Sequence, residues 1–176
     1  MRTLVLELAR RVDAPRLAQM SRRLIEAGLE PCWSVARIEH HLRHADSVVL
    51  AARREGRVVG FAIMQYGDEA AHLNLLAVEP NEQRRGLGRK LVAWLEDTAR
   101  VAGTFVIRLE VRASNRAALA FYAALGYRET ARVRGYYQRL EDAVRLARDL
   151  KAAAPDGAGA YPARPSPADD PGPATP

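Results

Sequence analysis

The sequence predicts an α/β domain. Two patterns carry that expectation: short apolar runs bounded by turn residues alternate with stretches of helical periodicity, and Leu73 to Leu95 passes from an apolar strand through a loop into an amphipathic helix. Composition agrees, because 176 residues with 48% hydrophobic and 27% charged side chains suit one domain with a filled core.

Thr3 to Leu8 has the character of a first strand. Asp13 is expected to cap a helix that has Pro15 in its first turn and runs through Leu17, Met20, Leu24 and Ile25 toward Gly28. Ser34 caps a second, with Val35, Ile38 and Leu42 on one face. Ser47 to Ala52 and Val58 to Met64 form a hairpin around Gly56, and Gly67-Asp68 turns the chain into a fourth strand, His72 to Val78. Pro80 ends it, since proline has no N–H for a ladder. The third helix shows Leu87, Leu91 and Leu95 on one face, while Arg89, Lys90, Glu96 and Asp97 fall elsewhere. Gly103 stops it. Phe105 to Val111 is a fifth strand that alternates sharply, with Ile107, Leu109 and Val111 on one side and Arg108, Glu110 and Arg112 on the other. Its charged face belongs either to a solvated sheet face or to a cleft. Ser114 or Asn115 caps a fourth helix, Arg116 to Leu125, in which Phe121 and Leu125 should face the core with Tyr122 about 100° away. Tyr127 to Val133 and Ala143 to Leu150 complete seven strands, joined through Arg134 to Tyr137. Residues 1–151 are thus the domain, and the Pro/Ala-rich tail 152–176 has too little to bury and is expected to be disordered.

The loop between the fourth strand and the third helix holds Gln83, Arg84, Arg85, Gly86, Leu87 and Gly88. Two glycines two apart let backbone approach a ligand, and a helix start offers unpaired N–H groups with a positive dipole, so an anion is the expected guest. No third glycine completes a dinucleotide fingerprint, and no Gly-Lys-Ser/Thr makes a P-loop.

Other classes recede. No run approaches the ~20 apolar residues of a membrane span, and the arginine-flanked N-terminus does not read as a secretory signal. Cys32 is the single cysteine, which excludes an internal disulfide, and a cytoplasmic address is expected. His40 and His44 stand one helical turn apart as zinc ligands can, but with no third ligand they read as solvated or packed, and no metal is expected. The net charge is +6, with −2 on residues 152–176 and +8 on the rest. Such a body could attract nucleic acid or a polyanionic cofactor, although solvated arginines account for most of the charge and a nucleic-acid partner is not expected. The sequence specifies no oligomeric state.

The spacing Val78-x-Pro80-x-x-Gln83-x-x-Gly86-x-Gly88 behind an apolar strand resembles the pyrophosphate loop of the GNAT superfamily of acetyl-CoA-dependent N-acetyltransferases. Leu109 to Asn115, Phe121-Tyr122-x-x-Leu125-Gly126-Tyr127, Arg134-x-Tyr136-Tyr137 and Glu141-Asp142-Ala143 resemble its bacterial ribosomal-protein alanine N-acetyltransferase branch. The resemblance covers about Phe61 to Leu150. It implies a mixed, mostly antiparallel seven-stranded sheet with helices on both faces, splayed between strands four and five to admit acetyl-CoA.

It implies roles as well. Leu76, Ala77 and Val78 would offer backbone groups to the acetyl and pantetheine portions, Arg84, Arg85, Gly86, Leu87, Gly88 and Arg89 would wrap the pyrophosphate, and Asn115 would contact the cosubstrate near its reactive end. Glu110 would be the general base and Tyr122 the general acid, with His72 on the fourth strand as an alternative base. Glu110 could serve if partial burial raised its pKa, an effect that Arg108 and Arg112 would oppose unless they point away. Direct transfer to a primary amine is expected, with no acetyl-enzyme on Cys32. The acceptor would be a protein N-terminus or a small amine such as a polyamine, amino acid or aminoglycoside; the alternative is a non-catalytic acyl-CoA-binding sensor. A +8 body repels a basic peptide unless the acceptor groove is locally acidic.

Overall fold

The structure, a computed structural model, describes residues 3–152; the tail expected to be disordered lies, beyond its first residue, outside the described residues. In chain order the elements are β1 (Leu4–Leu8), α1 (Ala14–Leu24), α2 (Val35–Arg43), β2 (Ser47–Arg54), β3 (Arg57–Tyr66), β4 (Ala71–Val78), α3 (Leu87–Val101), β5 (Val106–Arg112), α4 (Arg116–Ala124), β6 (Arg128–Tyr137) and β7 (Glu141–Asp149). The described strands form one seven-stranded sheet in the order β1-β2-β3-β4-β5-β7-β6, antiparallel throughout except for a parallel β4–β5 pair.

Helices cover both faces. On one, Leu17 and Met20 of α1 and Ile38 of α2 pack with Val49, Phe61, Ile63, Leu75 and Ala77. On the other, Leu91 and Leu95 of α3 and Tyr122 of α4 pack with Leu50, Met64, Leu109 and Leu146.

Two irregularities shape the centre of the sheet. The β3–β4 register shifts between Ile63 and Met64, where Asn74 is the extra residue of β4. A bulge moves alternate side chains to the other face, so Ala71 and Leu73 join the α3 side of the core while Leu75 and Ala77 join the α1 side. The second is the β4–β5 pairing itself, confined to Ala71 with Ile107 and His72 with Arg108. Beyond that point the strands diverge, leaving the edge of β4 from Leu73 to Val78 without a strand neighbour on the β5 side.

The sequence places the turns less well than the elements. The β2–β3 turn is Glu55-Gly56, both at positive φ (53° and 76°), as a two-residue hairpin loop requires. The last hairpin turns at 138–140, later than expected. Gln138 and Arg139 both take positive φ (55° and 62°), and Gly135, at φ 60°, lies inside β6 where the β6–β7 register slips. Asp13 makes no side-chain cap to α1; its Oδ2 instead accepts from the Arg10 backbone and from the buried Arg53 guanidinium (2.7 and 2.6 Å).

Candidate active site

The loop expected to hold an anion is built as two left-handed turns. Arg84 (φ 60°) and Gly86 (φ 79°) swing the backbone so that α3 starts at Leu87, and the first helical bond runs from Lys90 N–H to Gly86 C=O. The N–H groups of Leu87, Gly88 and Arg89 therefore point out of the helix start without an intrahelical acceptor. Gln83 folds back, its amide donating to Val78 C=O at 2.9 Å, which fixes the loop against the end of β4. The side chains of Arg84, Arg85 and Arg89 are exposed and make no ion pair among the described residues.

The second glycine has a different reason from the one spacing suggests. A Cβ on Gly88 would lie 3.2 Å from the Phe121 ring, so Gly88 is where α3 and α4 touch. Phe121 is half-buried there, and Tyr122 takes the buried position that helical spacing assigns to Phe121. The Tyr122 ring meets Tyr127 edge-on at 5.4 Å. Burial pushes its phenol pKa well above the ordinary value, and the nearby Tyr137 adds to the shift, so the hydroxyl stays protonated and acts as a donor. Asn115 caps α4, its Oδ1 accepting from Ala118 N–H at 3.1 Å.

Across the splay, Glu110 lies on the face of β5 opposite the one that packs against α3. Its side chain is only 9% exposed, and both oxygens are engaged. His72 Nε2 donates to Oε2 at 2.6 Å, and Arg145 Nε, directly opposite on β7, donates to Oε1 at 3.0 Å. The other ring nitrogen of His72 faces Asn74 Oδ1, brought within reach by the β4 bulge. With an acceptor at each ring nitrogen, the doubly protonated imidazolium satisfies both contacts. Accordingly, the Glu110 contact holds the His72 pKa above its ordinary value, assisted by Asn74 and opposed by burial.

Glu110 moves the other way. The condition for Glu110 to serve as base, a pKa raised by burial, is not met: the His72 bond, with help from Arg145, outweighs burial and holds this carboxyl below the usual range. Arg112 does point away, donating to the carbonyls of Ile25 and Ala27 at 2.7 and 2.8 Å, and Arg108 is exposed. The cations that act on Glu110 are His72 of β4 first and Arg145 of β7 second.

Around this pair stands a mouth. Tyr136 and Tyr137 of β6 lie close enough for the Glu110 charge to act on both hydroxyls. The α1–α2 connection forms the opposite wall, held by Glu26, which accepts from Ser21 Oγ and the backbone N–H groups of Cys32 and Trp33. Gln138 closes the rim, donating to Glu30 C=O (2.7 Å) and accepting from Glu30 N–H (2.9 Å).

This architecture and its sequence have relatives. Residues 14–127 match the family described as "Acetyltransferase (GNAT) family". The chain belongs to the GNAT family. It is 45% identical over 96 residues to the "[Ribosomal protein bS18]-alanine N-acetyltransferase" of Salmonella typhimurium, covering 53% of this chain and 65% of that protein. The chain thus spans just under two thirds of that relative's length. It is 35% identical over 132 residues to the "N-alpha-acetyltransferase RimI" of Mycobacterium tuberculosis, covering 73% of this chain and 80% of that one. The crystal structure of the ribosomal-protein-S18-alanine N-acetyltransferase from Escherichia coli superposes with a TM-score of 0.74 at 31% identity, over 90% of this chain and 99% of that one.

Within this GNAT fold, Leu76, Ala77 and Val78 lie along the open edge of β4, and residues 84–89 form the loop and helix start beside it. Glu110 and Tyr122 stand on different elements with no hydrogen bond between them, and the Tyr137 hydroxyl lies close enough to each for an electrostatic influence. Asn74, Tyr137 and Arg145 escaped the sequence reading as site residues. Arg145 carried a signal, since an arginine alternating with Val144 and Leu146 faces the side opposite the core, as Glu110 does.

Proposed function

We propose that this protein transfers an acetyl group from acetyl-CoA to a primary amine by direct attack, and that the amine is the α-amino group of a protein N-terminus. The family and the named activities of its relatives support the reaction class. The observation that carries the site is the splay: an open strand edge lies beside a helix start rich in unused N–H groups, and a buried carboxylate lines the same opening.

The cosubstrate fits these residues. Leu76, Ala77 and Val78 hold the acyl and pantetheine groups through the free edge of β4, residues 84–89 hold the pyrophosphate through helix-start N–H groups, and Asn115 borders the reactive end. Acetyl-CoA supplies the activated thioester. N–H groups along the open β4 edge face the carbonyl oxygen, where negative charge develops. The amine must shed a proton, and His72 with Glu110 takes it as one unit. Glu110 alone is too acidic to be an effective base. Above its raised folded pKa His72 is neutral and can take the proton, and Glu110 stabilises the imidazolium formed. Tyr122, held protonated, donates to the departing sulfur.

Free-thiol release from acetyl-CoA with a panel of N-terminal peptides and small amines tests the reaction. Tyr122→Phe is expected to lower kcat by about 100-fold while KM for acetyl-CoA stays within about twofold. A variant as fast as wild type would remove Tyr122 from the chemistry, and acetyl-CoA binding without turnover on any amine would replace the enzyme by a sensor.

A further inference from the structure

Resting on the acetyl-transfer reading, the geometry points to an acceptor that carries a carboxylate within one residue of its reacting amine, recognised by Arg145. Arg145 gives only its Nε to Glu110; its two Nη nitrogens make no hydrogen bond or ion pair among the described residues. The side chain is 41% exposed, beside Glu110 on the sheet face opposite α3. The Nε bond anchors the guanidinium beside Glu110 and leaves its terminal fork available to grip a second carboxylate through two parallel bonds.

The charges nearby favour the same ligand. His72 and Arg145 flank one buried carboxylate, and Arg108 is exposed two residues along β5 on the same face. The other acids of the mouth are engaged: Glu141 with Arg112 and Ser114, Asp142 with the Gly135 N–H, Glu26 with the α1–α2 connection. Glu30, Arg134 and Arg139 are exposed around the rim. No locally acidic groove offsets the positive body among the described residues, so a basic peptide N-terminus is disfavoured at close range as well as at long range.

Dimensions agree. Adding an Nε–Nη separation and one charge-assisted bond to the 3.0 Å Arg145–Glu110 contact puts the recognised carboxylate about 7 Å from Glu110. An amine next to Glu110 and an acidic side chain on its own or the following residue, one Cα step of about 3.8 Å away, span that distance.

The test uses the full chain and three peptides starting with alanine that differ only at the second residue: Asp, its neutral isostere Asn, and Lys. In the wild type kcat/KM for Asp should exceed that for Asn by about tenfold or more, with Lys slowest, and the Asp advantage should shrink as salt rises. Arg145→Met should bring the Asp-to-Asn ratio to near one whatever its effect on the absolute rate, and Arg145→Lys should restore only part of it. If Arg145→Met does not fold, the wild-type ratio and its salt dependence decide. Turnover on the Asn or Lys peptide equal to or above that on Asp overturns the inference and leaves the acetyl-transfer reading standing. Silence on all three with turnover of a polyamine overturns the inference and moves the acceptor class. Silence on every amine overturns the proposed function itself.

Discussion

His72 and Glu110 each hold the other's charge, and their pKa shifts make that visible in opposite directions. The raised His72 pKa means a stabilising contribution that is complete below about 6.5 and fades as pH climbs through its folded value. The lowered Glu110 pKa means one present above the usual carboxylate range and lost as pH falls through its own folded value. The two overlap between about pH 4.5 and 6.5. Thermal melts of wild type and His72→Gln should therefore differ most in that interval and converge in more alkaline buffer. A gap that ignores pH would mean that the pair is not ionised. Under the proposed reaction the same titration governs the rate: kcat/KM should rise with pH along a limb above about 6.5, and His72→Gln should displace that limb rather than merely scale it.

Between elements, the decisive contact is α3 against α4. The wrap of α3 around the loop depends on Gly86 for a left-handed turn, but Gly88 is fixed by its neighbour: a methyl there would press on the Phe121 ring at 3.2 Å, where the ring has to give. Alanine gains up to ~1 kcal/mol of helix propensity over glycine, and overpacking costs about 1–3 kcal/mol, so Gly88→Ala should be net destabilising by roughly 1 kcal/mol. Removing ring atoms by Phe121→Leu in the same chain should recover the loss. Denaturant unfolding of the two single variants and the double variant measures the coupling, and strict additivity would show that the helices do not meet at Gly88. The α3 sequence conceals a second contact. Glu96, off the leucine stripe, is 5% exposed, bonded by Arg148 of β7 at 2.7 and 2.8 Å and by the Tyr127 hydroxyl at 3.1 Å.

At the scale of the molecule, the sheet is two parts joined by two residue pairs, one of them containing His72, and α3 is the bolt across them. Glu96→Gln would leave the buried Arg148 charge without its counterion, at a cost of about 3–5 kcal/mol and a thermal midpoint lower by on the order of 10 °C; a shift under about 2 °C would show that the ion pair does not tie the halves together. Periodicity made the strands and helices legible, and the loop spacing marked out the loop and helix start with unused N–H groups. Long-range partners were not. The buried Glu96 and Arg53 look like surface residues because their counterions lie 52 and 40 residues away, and nothing local announces the Arg145–Glu110 pairing across β5 and β7. Likewise, the bulge at Asn74 is invisible until β3 fixes the register. The Glu30–Gln138 contact sets a population. It joins positions 108 residues apart through two exposed hydrogen bonds, each worth about 0.5–1.5 kcal/mol, so roughly 1% to 20% of molecules have this rim unlatched at any instant. A clasp that weak makes the closed rim a majority state rather than a fixed wall.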